Sequence, residues 1–120
     1  MDKKILIVED EQAMAKALEL KLDHAGFETE VVQNGEEALD LLGAESFDAI
    51  ILDLIMPKMD GFDFLQQIKE KGITTPVIVA SNLGQEEDIE RAKALGAKDY
   101  FIKSNVSINE IVVKVAKHIV

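Results

Sequence analysis

The sequence predicts an α/β fold in which helices cover both faces of a doubly wound parallel β-sheet. Two observations support this prediction: short apolar runs rich in branched residues alternate with longer segments of helical periodicity, and the alternation occurs five times. Regular alternation implies right-handed crossovers and a parallel sheet. The chain has 120 residues, and at roughly 100–200 residues per domain we expect one domain over residues 1–120.

Five short segments are predicted to be strands. Residues 5–8, 49–52 and 77–80 are continuous apolar runs, as expected for strands that are buried on both faces of a parallel sheet. Residues 27–33 alternate in polarity and carry two glutamates, which is typical of an edge strand. Residues 100–102 form the last predicted strand.

A helix is predicted after each of the first three strands. The first helix ends at Gly26, a residue suited to a helix C-terminus, and its apolar positions are Met14, Leu18, Leu22 and Ala25. Asn34-Gly35 is predicted to be a turn, after which Glu36 and Glu37 place negative charge at the positive end of the second helix. The third helix follows Asp60-Gly61 and ends near Gly72.

The last two helices also have recognisable ends. Acidic residues 86–88 begin the fourth helix, and Gly96 ends it. Ser107 and Glu110 fit a capping box for the fifth helix, whose core positions are Ile108, Ile111, Val112, Val115 and Ile119. The fifth helix has a second apolar line, which we interpret as a widened core stripe and alternatively as a partner surface: Val113, Ala116 and Val120.

Composition excludes several classes of function. The chain has no cysteine, so it forms neither disulfides nor thiolate metal sites. Its 13 basic and 23 acidic residues give a net charge of −10, which repels phosphate backbones, and we expect no nucleic-acid binding by this domain. The apolar runs are too short to span a membrane or to form a signal peptide. We therefore expect a cytoplasmic protein.

Charged and polar residues follow four of the five predicted strands. They are Glu9 and Asp10 after the first strand, Asp53 after the third, Ser81 after the fourth and Lys103 after the fifth. The carboxyl ends of parallel strands meet at one edge of the sheet, where ligands bind in open α/β folds. Each residue alone has an ordinary explanation, such as a helix cap for Asp10, but their combination at one edge predicts a functional site.

The chemistry of this set indicates phosphoryl transfer. Clustered carboxylates repel one another unless a cation is present, and Mg²⁺ is the hard cation that binds a few carboxylates together with waters. Lys103 adds a positive charge that neutralises a transferring phosphoryl group. A carboxylate can itself be the nucleophile and form an acyl phosphate. Asp53, at the end of the central strand, is the predicted nucleophile.

These residues resemble the receiver domain of two-component response regulators, the CheY-like family, over the whole chain. The resemblance is carried by residues 5–10, 53–61, 80–81 and 96–103. It implies a flavodoxin-like three-layer sandwich with strand order 2-1-3-4-5. It also implies a phosphoacceptor that takes a phosphoryl group from a histidine kinase or a histidine phosphotransfer domain, and that is not a turnover enzyme.

The resemblance also implies a role for each site residue. Asp53 would be the phosphoacceptor and a metal ligand, Asp10 a direct Mg²⁺ ligand, and Glu9 a ligand acting mainly through a metal-bound water. The backbone carbonyl of Ile55 would complete the protein ligands. Lys103 would pair with Asp53 and then with the phosphoryl group.

Two further residues are implied to form a switch. Ser81 would bond the phosphoryl oxygen, and Tyr100 would turn inward as Ser81 moves, although a plain strand aromatic is the alternative for Tyr100. The change would reach the face formed by the fourth helix, fifth strand and fifth helix, where an unknown downstream protein would bind. The expected state is a monomer or a phosphorylation-dependent dimer.

The sequence departs from the family at positions near the site. Glu9 replaces the commoner aspartate, and Asn82 stands where a smaller residue is preferred, which could narrow access to the phosphoryl group. Ser104 replaces a proline that usually follows a cis peptide, and without proline we expect a trans bond or a rearranged 103–105 loop. Ile55 and Leu83 match two positions whose side chains flank the path of hydrolytic water in the family. Both are apolar here and cannot orient that water, which predicts a long-lived phosphoaspartate.

Two rivals to this function remain. A Mg²⁺-dependent phosphohydrolase would need a second aspartate just after its nucleophile, and 10–12 does not supply one. A non-phosphorylated interaction module of the same fold is the other alternative. The sequence identifies neither the kinase, nor the output partner, nor whether the chain is full length.

Overall fold

The computed structural model describes residues 3–119 and contains the five strands and five helices that the sequence predicts. They follow one another along the chain as β1 (Lys4–Val8), α1 (Gln12–His24), β2 (Glu28–Val32), α2 (Gly35–Ala44), β3 (Ala49–Leu52), α3 (Gly61–Glu70), β4 (Val77–Ser81), α4 (Glu86–Ala94), β5 (Asp99–Ile102) and α5 (Ile108–Ile119). A short 3₁₀ turn, Lys103–Asn105, lies between β5 and α5.

The strands form one parallel sheet with the order β2-β1-β3-β4-β5, as expected. β1 pairs with β2 on one side, for example at Val8 and Val32, and with β3 on the other, at Val8 and Leu52. The register brings the carboxyl ends of β1 and β3 level with each other. Glu9 and Asp53, one residue beyond, therefore leave the sheet side by side.

The sheet separates two hydrophobic cores. Successive residues of a strand point to opposite faces, so Ile5 and Ile7 pack with α1 and α5, whereas Leu6 and Val8 pack with α2, α3 and α4. All four residues of β3 are buried, while β2 alternates between exposed and half-buried positions until Val32. The expectation of an edge strand at β2 and buried central strands is confirmed.

Helix ends differ from the expectation at two places. Asn34 is not in a free turn: it is buried, and its side chain caps α2 by accepting from the N–H of Glu37 at 3.0 Å. Ala25 lies beyond the end of α1 as its C-terminal cap and is exposed, and Gly26 follows with a φ of 96°. The capping box of α5 is confirmed, since Glu110 N–H donates to Ser107 Oγ at 3.2 Å.

The second apolar line of α5 is not a widened core stripe. Val113 is 54% exposed, and Ala116 is half-buried. Val120 lies outside the described residues. The core side of α5 is formed by Ile111 and Val115, which are both buried. Among residues 3–119, no helix is long and apolar enough to cross a membrane.

Candidate functional site

Three carboxylates meet at the carboxyl edge of the sheet. Glu9 and Asp10 follow β1, Asp53 follows β3, and one oxygen from each lies within 4.8 Å of the others. Glu9 and Asp53 are only 3% and 7% exposed, whereas Asp10 is exposed. The three acids thus form a cluster with two buried carboxylates and one that is exposed to solvent. Their hard oxygen donors could hold a metal ion.

Lys103 faces the two buried carboxylates from the end of β5. Its ammonium donates to Asp53 Oδ2 at 3.1 Å and forms an ion pair with Glu9 Oε1. The Lys103 side chain is 11% exposed, so this contact is shielded from solvent. A buried charge is costly unless it is paired, and the single ammonium compensates two carboxylates.

Backbone amides satisfy the remaining oxygens of the buried acids. The N–H of Ile55 donates to Asp53 Oδ1 at 3.1 Å, and the N–H of Glu11 donates to Glu9 Oε2 at 3.2 Å. Each buried carboxylate therefore has one oxygen on Lys103 and the other on the backbone. These contacts hold both carboxylates in a defined orientation before any ligand arrives.

The electrostatics of the cluster shift the pKa values of two groups. Burial raises the pKa of Glu9 to about 7; the Asp53 charge also raises it, and the hydrogen bond from Lys103 opposes the rise. For Lys103, burial lowers the pKa, but the hydrogen bond to Glu9 and the charge of Asp53 outweigh burial and raise it overall. Lys103 therefore stays cationic at neutral pH, whereas burial favours the protonated form of Glu9.

Ser81 and Tyr100 are linked through Leu83. Ser81 is fully buried at the end of β4, and its Oγ accepts from the Leu83 N–H at 3.3 Å. The Tyr100 hydroxyl donates to the Leu83 carbonyl. Burial, with smaller effects of the Asp88 and Asp53 charges, raises the pKa of Tyr100 to about 12, so the phenol remains a donor at neutral pH.

The β3–α3 loop is held close to the site by a glycine. A Cβ on Gly61 would lie 2.6 Å from the Cα of Leu54, so only glycine fits there. In the same loop, Lys58 adopts a φ of 68°, and Met59 N–H donates to the Pro57 carbonyl at 2.8 Å. Such a turn is strained for a non-glycine residue.

The residues predicted to tune the phosphoryl lifetime lie around the mouth of the site. Ile55 is 54% exposed, Leu83 is half-buried, and Asn82 is exposed. The peptide after Lys103 is trans, as expected, since residues 3–119 contain no cis bond, and residues 103–105 form the 3₁₀ turn. Asn82 Oδ1 accepts from the Ser104 N–H at 3.2 Å, a contact that the sequence did not predict. The sequence feature that could have indicated this contact is that Asn82 and Ser104 both differ from the residues usual in the family.

Comparisons with known proteins agree with this fold and identify the family. The family model described as "Response regulator receiver domain" matches residues 5–116, and the chain belongs to this family. The chain is 41% identical over 100 residues to "Probable transcriptional regulator ycf27" of Guillardia theta, covering 83% of this chain and 39% of that protein. It is 38% identical over 109 residues to "Regulator of RpoS" of Escherichia coli (strain K12), covering 91% and 32%.

A solved structure has the same architecture. The receiver domain of the Francisella response regulator 1452 superposes with a TM-score of 0.92 and 32% identity, covering 98% of this chain and 96% of that one. The curated relatives bear the names of regulators rather than turnover enzymes, and the chain spans less than half of their length. Receiver domains of response regulators generally interact with histidine kinases.

Proposed function

We propose that Asp53 is the phosphoacceptor of this receiver domain and takes its phosphoryl group from a phosphohistidine of a histidine kinase or histidine phosphotransfer domain. One observation carries the proposal: Asp53 is buried between a lysine and two further carboxylates, an arrangement suited to a cation and a phosphoryl group. In the transfer, a carboxylate oxygen of Asp53 forms a bond to phosphorus and the phosphorus–nitrogen bond breaks. The departing ring nitrogen keeps the electron pair, and a proton on the other ring nitrogen makes the leaving group a neutral imidazole.

Mg²⁺ is the proposed cofactor, and it would supply charge neutralisation to the transferred group. Asp10 and Asp53 would hold it directly, Glu9 through a water, and Ile55 through its backbone carbonyl. The donor set fits, because it consists of hard oxygen atoms with one side open to solvent. Lys103 neutralises the remaining charge: its ammonium already contacts Asp53 and is close enough to follow the phosphoryl oxygens.

Ser81 and Tyr100 are proposed to relay phosphorylation to the β4-α4-β5-α5 face. Donation from the Ser81 hydroxyl to a phosphoryl oxygen would draw the β4–α4 loop towards Asp53. Leu83 connects this movement to Tyr100, because its N–H contacts Ser81 and its carbonyl accepts from Tyr100. Phosphorylation would then shift an existing equilibrium between two arrangements of this face.

The phosphoaspartate is proposed to be long-lived. Ile55 and Leu83 flank the mouth of the site and carry no group that could orient an attacking water. Replacing both with amide or acid side chains should accelerate loss of the phosphoryl group after the donor is removed. An unchanged decay rate would contradict this part of the proposal.

Asp53→Asn tests the central claim. The protein is incubated with acetyl phosphate and Mg²⁺, and incorporation is followed by intact mass and by mapping the modified residue. Wild type should gain one phosphoryl group at Asp53, Asp53→Asn should gain none, and chelation of Mg²⁺ should abolish labelling. Asp40→Asn, which changes an exposed carboxylate of α2, is the matched control and should label normally.

Labelling of Asp53→Asn at another residue would overturn the assignment. Failure of wild type to bind Mg²⁺ or to label would favour the alternative, a non-phosphorylated interaction module. We further propose that residues 1–120 act as one cytoplasmic receiver domain, a monomer or a phosphorylation-dependent dimer, without contact to nucleic acid or membrane. The downstream partner is an unidentified protein.

A further inference from the structure

Two loops are joined at the mouth of the site by a hydrogen bond. Asn82 follows Ser81, and Ser104 follows Lys103, so the bonded residues are the direct neighbours of two predicted phosphoryl contacts. The Asn82 Oδ1 accepts from the Ser104 N–H at 3.2 Å, across 22 positions of sequence.

This hydrogen bond continues the link between β4 and β5 beyond the sheet. The paired register of these strands ends at Ser81 and Ile102. Lys103 and Ser104 then enter the 3₁₀ turn Lys103–Asn105. The Asn82 side chain reaches this turn, so it restrains the backbone on the far side of Lys103.

The two residues are chemically matched. A proline at position 104 would have no N–H to donate, whereas serine has one, and an asparagine at position 82 provides the side-chain carbonyl that accepts it. The departures from the family at these positions are therefore parts of one contact. Asn82 does more than occupy space beside the phosphoryl group.

We propose that Asn82 is a positioning residue that holds the Lys103 turn through the Ser104 N–H and thereby keeps the Lys103 ammonium opposite Asp53. Lysine is a point charge on a flexible four-carbon stem, so the position of its ammonium depends on a restrained backbone. Small displacements of a positioning group slow a transfer strongly. The effect on transfer rests on the proposed phosphoacceptor function; the effect on the turn does not.

The experiment compares two substitutions that differ in bulk but not in hydrogen bonding. Asn82→Ala opens the mouth of the site, Asn82→Leu keeps its bulk, and both remove the acceptor. The initial rate of Asp53 labelling by acetyl phosphate at saturating Mg²⁺ is measured for each. Because one modest hydrogen bond is lost, both variants should be slower than wild type by about threefold to tenfold.

The donor side is tested by a matched pair at position 104. Ser104→Ala removes the hydroxyl and keeps the N–H, while Ser104→Pro removes the N–H. Ser104→Pro should be about threefold to tenfold slower than Ser104→Ala. Adding Asn82→Ala to Ser104→Pro should produce no further slowing, since the contact is already absent. Thermal unfolding of each variant verifies that it folds.

A spectroscopic measurement tests the turn without phosphorylation. The exchange of the Ser104 amide proton with water is measured by NMR in the unphosphorylated, metal-free protein. It should accelerate by about threefold to tenfold in Asn82→Leu and in Asn82→Ala alike. The amide of Lys98, which donates to the Val77 carbonyl at 2.8 Å away from the site, should not change.

The outcomes separate the positioning role from simple obstruction. Faster labelling of Asn82→Ala with unchanged labelling of Asn82→Leu would show that only bulk matters and would overturn the proposal. If Asn82→Ala slows Asp53 labelling equally in wild type and in Ser104→Pro, the proposal is overturned as well. If wild type is not labelled at Asp53, the proposed function fails, and the Ser104 exchange rates alone decide: unchanged exchange refutes the contact, and accelerated exchange supports it.

Discussion

Replacing Glu9 with glutamine should stabilise the metal-free protein at neutral and alkaline pH. Glu9 is 3% exposed and lies beside Asp53 with a single ammonium, Lys103, shared between the two carboxylates. Ionising Glu9 in this place is unfavourable, because burial is the largest cause of its raised pKa. Glutamine has nearly the same shape and cannot ionise.

The magnitude follows from the pKa. In the unfolded chain Glu9 titrates near its ordinary 4.5, and in the folded protein near 7. The folded state binds this proton more tightly, so the associated stability is fully present below pH 4.5 and is lost as pH rises through 7. At 1.36 kcal/mol per pH unit, wild type should lose about 3 kcal/mol relative to Glu9→Gln by pH 8.

Urea unfolding between pH 4.5 and 8.5 in the presence of a chelator measures this difference. The two proteins should have similar stability near pH 4.5 and diverge as pH rises. With a urea m value of about 1.5 kcal/mol/M, the midpoint of Glu9→Gln should exceed that of wild type by about 2 M at pH 8. Mg²⁺ should stabilise wild type more than Glu9→Gln and so reduce the gap, because the ion favours the ionised carboxylate.

The control is Glu90→Gln, which removes an exposed carboxylate of α4. It should change stability by less than about 0.5 kcal/mol at every pH, as surface substitutions usually do. Parallel pH–stability curves for wild type and Glu9→Gln would refute the reasoning, since they would mean that Glu9 ionises in the folded protein as easily as in the unfolded chain.

Four further substitutions concern stability. Gly61→Ala should destabilise the protein by about 1–3 kcal/mol in urea unfolding, because its Cβ would meet the Leu54 backbone at 2.6 Å. Gly43→Ala, in α2 with nothing within 4 Å, should instead stabilise by about 0.5–1 kcal/mol; destabilisation of both by the same amount would contradict the argument. Tyr100→Phe should reduce the loss of unfolding free energy at alkaline pH. The pKa of Tyr100 is about 12 in the folded protein and 10.0 ordinarily, so the folded state holds this proton more tightly. Between pH 10 and 12, wild type should therefore lose roughly 1–2 kcal/mol more than the variant, after discounting for partial exposure. Identical alkaline limbs would argue against burial of the phenol. Ser107→Ala should cost about 1 kcal/mol through loss of the α5 cap, and an unchanged urea midpoint would show that the capping box contributes nothing.

The order of the strands and helices and the residues of the candidate site could be predicted from the sequence, because the patterns that indicate them are local in the chain. Hydrophobic periodicity depends on neighbours along the chain, so runs such as residues 49–52 identify buried strands without knowledge of the fold. Parallel topology then brings every carboxyl end to one edge. Glu9, Asp53 and Lys103 could therefore be grouped before their distances were known.

Helix ends and surfaces were predicted less well, because they depend on what packs against them. Asn34 was interpreted as a turn residue, although Glu37 three residues later is also a capping signal. Periodicity led us to interpret Val113 as part of a widened core stripe, with a partner surface as the alternative, yet Val113 is 54% exposed. The width of a helix's buried face is set by its neighbours, which periodicity does not describe.

By itself, the sequence determined the strand order through its family resemblance, and the candidate site through residue types at strand ends. Only the tertiary structure decided how the charges are distributed within that site. One ammonium is shared by two carboxylates, each also held by a backbone amide, and Glu9 is buried enough to raise its pKa. The structure also joined Asn82 to Ser104. The burial and ion pairing of a residue depend on contacts from several chain segments, and these contacts form only when the segments pack together in the fold.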